Sequence, residues 1–237
     1  MQSFATPIVS IACPKVAAPL PLGADLSQWR RAGANVFAMP QNMIDYPPGA
    51  AIAAYPHGVP WKGPSDLSGT FALAHDADTL YLGFAITDNV FDPAPADQPA
   101  WMGDAIQLYF DSFGNGHARV TQGFDDDDQV FDIRPGVDSA QVARSVAPNV
   151  QLAFLKTGPV PGVKTYCART ATGYLVELAF PQRELAPLAL RDGGVFNFAY
   201  LVSDNDDDYR KRGLSLTPNG TEPYEHPELY PSIVLEP

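Results

Sequence analysis

In Trp101-Met102-Gly103-Asp104-Ala105-Ile106-Gln107-Leu108-Tyr109-Phe110-Asp111 a tryptophan sits in a glycine-containing turn directly ahead of an alternating segment. Successive side chains of a strand point to opposite faces, so Ile106, Leu108 and Phe110 face a core while Gln107, Tyr109 and Asp111 share the other side. That second face is where a ligand would lie. Upstream, Asp76-Ala77-Asp78-Thr79-Leu80-Tyr81-Leu82-Gly83-Phe84-Ala85-Ile86-Thr87-Asp88 alternates Leu80, Leu82, Phe84 and Ile86 with Tyr81, Gly83, Ala85 and Thr87. Before it, Trp61-Lys62-Gly63-Pro64-Ser65-Asp66-Leu67-Ser68-Gly69 places another tryptophan in a turn. Tryptophans in loop settings beside alternating strands suit flat stacking on a sugar ring better than bond-making chemistry. The expectation is a binding module rather than an enzyme.

Around these segments, the 24 prolines and 19 glycines separate short alternating or β-rich runs, and no long stretch has a helical period. The predicted strands are Ile8–Ala12, Thr70–Ala74, Leu80–Thr87, Ala105–Asp111, Gln129–Ile133, Val150–Lys156, Lys164–Thr170, Tyr174–Ala179, Val195–Ser203 and Ser232–Leu235. About ten short strands predict an all-β, jelly-roll-like β-sandwich, because two sheets let each alternating strand bury one face. No linker divides the chain, so residues 1–237 read as a single domain. Pro181-Gln182-Arg183-Glu184-Leu185 reads as a short helical connector with proline at its start. The proline-rich stretch from about 30 to 60 reads as an irregular excursion over one end of the sandwich.

A formal net charge of -12 and a pI near 4.5 argue against nucleic acid, which requires a concentrated cationic surface. Neutral ligands or divalent cations fit this balance better. No apolar run is long enough to cross a bilayer, which predicts a soluble chain with no membrane partner. The first eighteen residues lack the basic start of a signal peptide, so no leader is visible. Cys13 and Cys167 form neither a disulfide framework nor a metal-ligand spacing, and pairing and two buried thiols both remain open.

Two acidic runs stand out. Asp125-Asp126-Asp127-Asp128 reads as a solvated turn, since runs of like charge are usually exposed. In Ser203-Asp204-Asn205-Asp206-Asp207-Asp208, closely spaced carboxylates and an amide supply the hard oxygen ligands that Ca²⁺ prefers, with Asp204 and Asp206 as candidate ligands. A solvated turn neutralised by Arg210-Lys211-Arg212 is the competing reading. Trp29 reads as a core residue, whereas Trp61 and Trp101 read either as ligand platforms or as plugs for the sandwich ends. Glycoside hydrolysis needs two converging carboxylates, and no pair is singled out here. Glu177, on a strand face amid apolar neighbours, reads first as the partner of a basic side chain. The four histidines, His57, His75, His117 and His226, carry no ligand spacing.

The order Trp61-x-Gly-Pro-x-Asp-Leu-Ser, Asp76-x-Asp-x-Leu-Tyr-Leu with Thr87-Asp88, and Trp101-x-Gly-Asp-x-Ile-Gln-Leu resembles the family 9 carbohydrate-binding modules of the DOMON-like group. Tyr174-Leu-Val-Glu-Leu-Ala-Phe-Pro and Phe196-Asn-Phe-Ala-Tyr-Leu-Val-Ser-Asp-Asn-Asp continue the match, which spans about Asp25 to Leu235. The resemblance implies a β-sandwich with structural calcium and a glycan end held between aromatic rings. It implies an oligo- or polysaccharide partner, a setting in a glycan-degrading system, and an extracellular or periplasmic location. Carried onto this chain, Trp101 stands at the family's tryptophan, Gln107 where those modules have glutamine or glutamate, and Asp204 and Asp206 in the turn after the penultimate strand; on the reading of the residues themselves Trp101 stacks, Gln107 and Arg134 bond hydroxyls, Tyr109 frames the site, and Trp61 is a further aromatic candidate. Arg134 enters because it shares one strand side with Val130 and Asp132. This sequence departs from the pattern at Asp207, where many relatives have glycine, and in Leu214–Tyr230, which lacks a tryptophan often seen there. Two alternatives remain: a haem b redox module using a methionine such as Met102 with a histidine, and a glycan-active hydrolase or lyase using Glu177.

Overall fold

Strand β6 (Ala105–Asp111) forms over the predicted residues, and its two faces separate as the alternation requires. It lies between β12 (Val195–Asp204) and β7 (Asp128–Arg134), antiparallel to both. The sheet extends from β12 through β14 (Ser232–Leu235) to β1 (Ser10–Cys13), and from β7 through β8 (Gln141–Val146) to β9 (Gly158–Pro159). The remaining two of its nine strands are β13 (Arg212–Ser215) beside β12 and β3 (Asn42–Asp45) beside β13. A five-stranded sheet packs on it, in the order β10 (Lys164–Thr170), β11 (Gly173–Pro181), β5 (Thr79–Asp88), β4 (Leu67–His75) and β2 (Asn35–Ala38). All pairings are antiparallel except β1 with β14. The computed structural model describes residues 10–23, 25–45, 61–118, 123–149, 155–206, 212–218 and 221–237.

The inner faces meet in a lattice of aromatic rings. Phe71 of β4 lies 5.0 Å from Phe84, 5.1 Å from Tyr200 and 5.9 Å from Phe198, centroid to centroid. Phe110 continues the lattice to Phe131, Phe196 and Phe198 at 5.0 to 6.1 Å. Offset and edge-on ring pairs contribute roughly 0.5–1.5 kcal/mol each beyond their area burial, so this seam fixes the sheets against each other. Cys13 and Cys167 are both free and buried in the same core, with burial pushing both thiols up.

Helix α1 (Leu26–Arg31) covers the outer face of the smaller sheet. Trp29 is fully buried there and donates its indole N–H to the Pro21 carbonyl at 3.0 Å. Gly83 permits this approach, because a Cβ at that position would come within 2.5 Å of Leu26 and 3.1 Å of Trp29. The helix starts at Asp25, whose carboxylate accepts from the amides of Ser27 at 2.8 Å and Gln28 at 3.2 Å. Asp25→Ala is expected to destabilise the domain by leaving those amides without their side-chain acceptor. It would lower the urea midpoint at unchanged slope, and an unaltered midpoint would contradict the cap.

The excursion predicted at about 30–60 contains two strands, β2 and β3, which extend the two sheets; residues 46–60 lie outside the described residues. Strand β8 escapes the alternation rule because Arg144 occupies an inward position opposite Phe131. The Arg144 guanidinium lies 4.9 Å from the Phe131 ring centre and donates to the carbonyls of Lys156 and Glu184. A cation where a hydrophobe is expected hides the strand. Of predicted Val150–Lys156, residues 150–154 lie outside the description, and Leu155 and Lys156 are not in a strand.

Candidate functional site

On the outer face of the larger sheet, the β6–β7 register sets Gln107 opposite Asp132 and Tyr109 opposite Val130. Gln107 is nearly buried and donates from Nε2 to Asp132 Oδ1 at 2.9 Å. At the end of β7, Arg134 donates from Nη1 to Gln141 Oε1 at 3.0 Å and from Nη2 to the Gln98 carbonyl. An amide, a carboxylate, a guanidinium and a second amide thus line one strip of the sheet. The 3-10 turn Ala100–Met102, which carries half-buried Trp101, packs against β6 and β7. A groove of about 690 Å³ opens there, lined in part by Gln98, Pro99, Asp132, Arg134 and Gln141. Tyr109 lies deeper, fully buried with its ring 6.0 Å from that of Tyr230.

At the neighbouring end of the sandwich, β5 terminates at Asp88, β6 is preceded by Asp104, and β12 terminates at Asp204. One carboxylate oxygen of each lies within 4.8 Å of the others, and all three residues are buried. Burial raises the pKa of Asp88, hydrogen bonds with Val90 N–H and the Asp104 side chain oppose it, and the charge of Asp206 adds a smaller upward push. Asp104 is pushed up to about 9, first by burial and then by the charge of Asp88, against the lowering effect of two backbone amides. Those amides are Asn205 N–H at 2.8 Å and Asp92 N–H at 2.6 Å. Asn205 also donates from Nδ2 to Asp92 Oδ2 at 2.7 Å, while its buried Oδ1 accepts no hydrogen bond. The fully buried Tyr174 hydroxyl, likewise without a hydrogen bond, feels Asp104, Asp88 and Asp204 as neighbouring charges. An all-oxygen set of buried carboxylates with an open amide oxygen is the donor chemistry of a hard divalent cation, and the residues fit Ca²⁺.

A second acidic group, Asp111, Asp127 and Asp128, lies at the opposite end of β6 and is also buried. The solvated-turn reading of Asp125–Asp128 therefore fails for its last two members. Asp127 accepts from Phe113 N–H and Asn115 Nδ2, and Asp128 from Asp125 N–H, so the acids brace the β6–β7 turn from within.

A family model described as "Carbohydrate family 9 binding domain-like" matches residues 45–237. The chain belongs to that family. Among solved structures, this family 9 domain is similar to a family 9 carbohydrate-binding module from Caldicellulosiruptor kristjanssonii in complex with cellotriose. That similarity has TM-score 0.65 and 16% identity, covering 96% of this chain and 93% of that one. The same organism's module in complex with glucose superposes with TM-score 0.63 at 16% identity, covering 96% and 95%. At this identity the likeness establishes the fold. No curated protein sequence matches.

In this family 9 domain, Gln107 and Arg134 share the outer face of the nine-stranded sheet, Tyr109 is buried on that face against Tyr230, and Trp101 belongs to the 3-10 turn that packs on β6 and β7. Trp61 sits elsewhere: its ring packs against the inner core and its indole N–H donates to the Leu67 carbonyl at 3.0 Å, next to the end of β5. Asp204 is in the acid cluster and Asp206 acts on its Asp88, while Asp207, Asp208 and Tyr209 lie outside the described residues. Sequence reasoning did not assign Asp88 and Asp104 as cation ligands, although both stand in quoted motifs at strand boundaries. It also missed Asp132, whose link to Gln107 depends on strand register. Glu177 is on the far side of the sandwich, accepting the Gly23 N–H at 2.6 Å. Both ring nitrogens of buried His75 face carbonyl oxygens, of Asp76 at 3.1 Å and Glu236 at 2.9 Å. His57 lies outside the described residues.

Proposed function

We propose that this domain is a non-catalytic module that binds an oligosaccharide of the β-linked glucose class on the outer face of the nine-stranded sheet. The observation that carries the reading is the polar strip Gln107–Asp132–Arg134–Gln141, with half-buried Trp101 in the turn that packs on the same two strands, β6 and β7. Sugar rings offer an apolar C–H face to an aromatic ring and a rim of hydroxyls to amides, acids and guanidinium groups. The cellotriose and glucose complexes of the structural relatives support this class. Trp101 stacks, Gln107 and Arg134 bond hydroxyls, and Tyr109 holds the strip from below.

Calcium held by Asp88, Asp104, Asp204 and Asp206, with Asn205 Oδ1, is part of the proposal, as a structural ion that neutralises a buried acidic cluster. An extracellular or periplasmic setting among glycan-degrading proteins follows from the family. Among the described residues, no helix is long and apolar enough to cross a membrane.

Calorimetry against glucose, cellotriose and a xylo-oligosaccharide tests the reading, which fails if none of a broad saccharide panel binds. Arg134→Ala is expected to weaken binding about tenfold, since a hydrogen bond to a charged group contributes roughly 1.5–3 kcal/mol. Unchanged affinity in this variant would move the site away from β7.

A further inference from the structure

We infer that the acid cluster at Asp88, Asp104 and Asp204 is a cation-operated lock on the loop that presents Trp101. The inference concerns the same face as the proposed glycan site and rests on that reading for its biological consequence.

Residues 89–104 join β5 to β6, and the cluster sits at both ends of this loop. Asp104 Oδ2 accepts the Asp92 N–H at 2.6 Å, and the Asp104 N–H returns to the Asp92 carbonyl at 3.0 Å. Asn205, from the end of β12, ties into the same closure through Asp104 Oδ1 and Asp92 Oδ2. Trp101 stands three residues before Asp104. The intervening backbone is tightly held: Met102 N–H bonds the Pro99 carbonyl and Gly103 N–H the Ala100 carbonyl, at 3.1 and 3.2 Å. At Gly103 the loop presses on itself, since a Cβ there would lie 2.6 Å from the Asp92 carbonyl oxygen. Where Asp104 sits therefore decides where the Trp101 ring sits. At the start of the loop, Phe91 is held between Tyr174, 5.2 Å away, and the Arg169 guanidinium, 4.1 Å away.

The carboxyl groups that close this loop stand at the ends of three different strands, and when ionised they repel one another in a buried setting. A divalent cation turns that repulsion into attraction and draws the ends of β5, β6 and β12 together. Two buried groups point to a ligand beyond the acids themselves. Asn205, 3% exposed, has an Oδ1 without a hydrogen-bond donor, and Tyr174, 1% exposed, has a hydroxyl without a partner beside the same acids. The cation orders the loop, the loop orients Trp101, and cation and glycan affinities are reciprocally coupled.

The test uses the intact domain with calcium or a chelator, read by hydrogen exchange of the loop amides and, in a Trp29→Phe/Trp61→Phe background, by the fluorescence of Trp101. Calcium is expected to slow exchange at Asp92, Gly103 and Asp104 by about tenfold or more, to shift Trp101 emission, and to raise saccharide affinity by roughly 5- to 150-fold. Asp204→Asn and the milder Asp206→Asn should weaken the calcium response, with magnesium as the size control. Failure of calcium to bind, or binding with no change at the loop or Trp101, overturns the lock. Calcium protection of the loop with no saccharide bound supports the lock and overturns the glycan reading instead.

Discussion

Trp101→Ala lowers the affinity of the domain for a cello-oligosaccharide by roughly 30-fold, the result expected for loss of a central aromatic anchor contributing about 2 kcal/mol. Trp101 is half-buried in the turn that follows Pro99 and Ala100, two residues lining a groove of about 690 Å³, so part of its surface is already desolvated before a sugar arrives. The backbone bonds of the turn, Met102 to Pro99 and Gly103 to Ala100, do not involve the indole, so circular dichroism and the unfolding midpoint should change little. Calorimetry of wild type and variant under identical calcium checks this. Equal affinities would remove Trp101 from the site and leave the polar strip without its platform.

In chelator, the thermal midpoint falls as pH rises from 5 to 8.5, and calcium restores it at the upper end. Burial, followed by neighbouring acids, pushes Asp104 up to about 9, Asp128 to about 8 and Asp127 to about 7, and it raises Asp88 in the same direction. Each group holds its proton more tightly folded than unfolded. Its stabilising contribution is complete below the ordinary carboxylate range near pH 4 and is lost as pH climbs through the folded value. The folded state therefore loses ground across the interval from about 4 to 9. Calcium at about 100 times its dissociation constant adds about 2.7 kcal/mol, which in a domain of this size corresponds to roughly 5–10 °C. Asp128→Asn, remote from the proposed calcium ligands, should flatten part of the slope in chelator. Scanning calorimetry decides the matter, and a midpoint that holds or rises between pH 5 and 8.5 in chelator would refute the argument.

What could be read from the chain differs by element. Strands β5, β6, β10 and β14 were legible to within a residue at either end because each sets one apolar face against a polar or small one. Strand β8 was not, since its inward Arg144 is satisfied by carbonyls from Lys156 and Glu184, partners remote in sequence. The burial of Asp127 and Asp128 was equally hidden, because a run of four acids carries no mark of the amides at Phe113, Asn115 and Asp125 that donate to them in the interior.

The amino-acid order by itself determined the β-sandwich class, the face of β6 that carries Gln107 and Tyr109, the family, and the tryptophans set in turns. Those properties are local, resting on a period of two residues and on short motifs. Only the tertiary structure decided that Asp88, Asp104 and Asp204 meet at one point, that Asp132 joins Gln107, and that Trp61 packs on the core. Such meetings depend on which strands become neighbours and in what register. Strand order in a sheet is settled by the packing of the whole core, in which residues more than a hundred positions apart, such as Asp104 and Asn205, are brought within 2.8 Å.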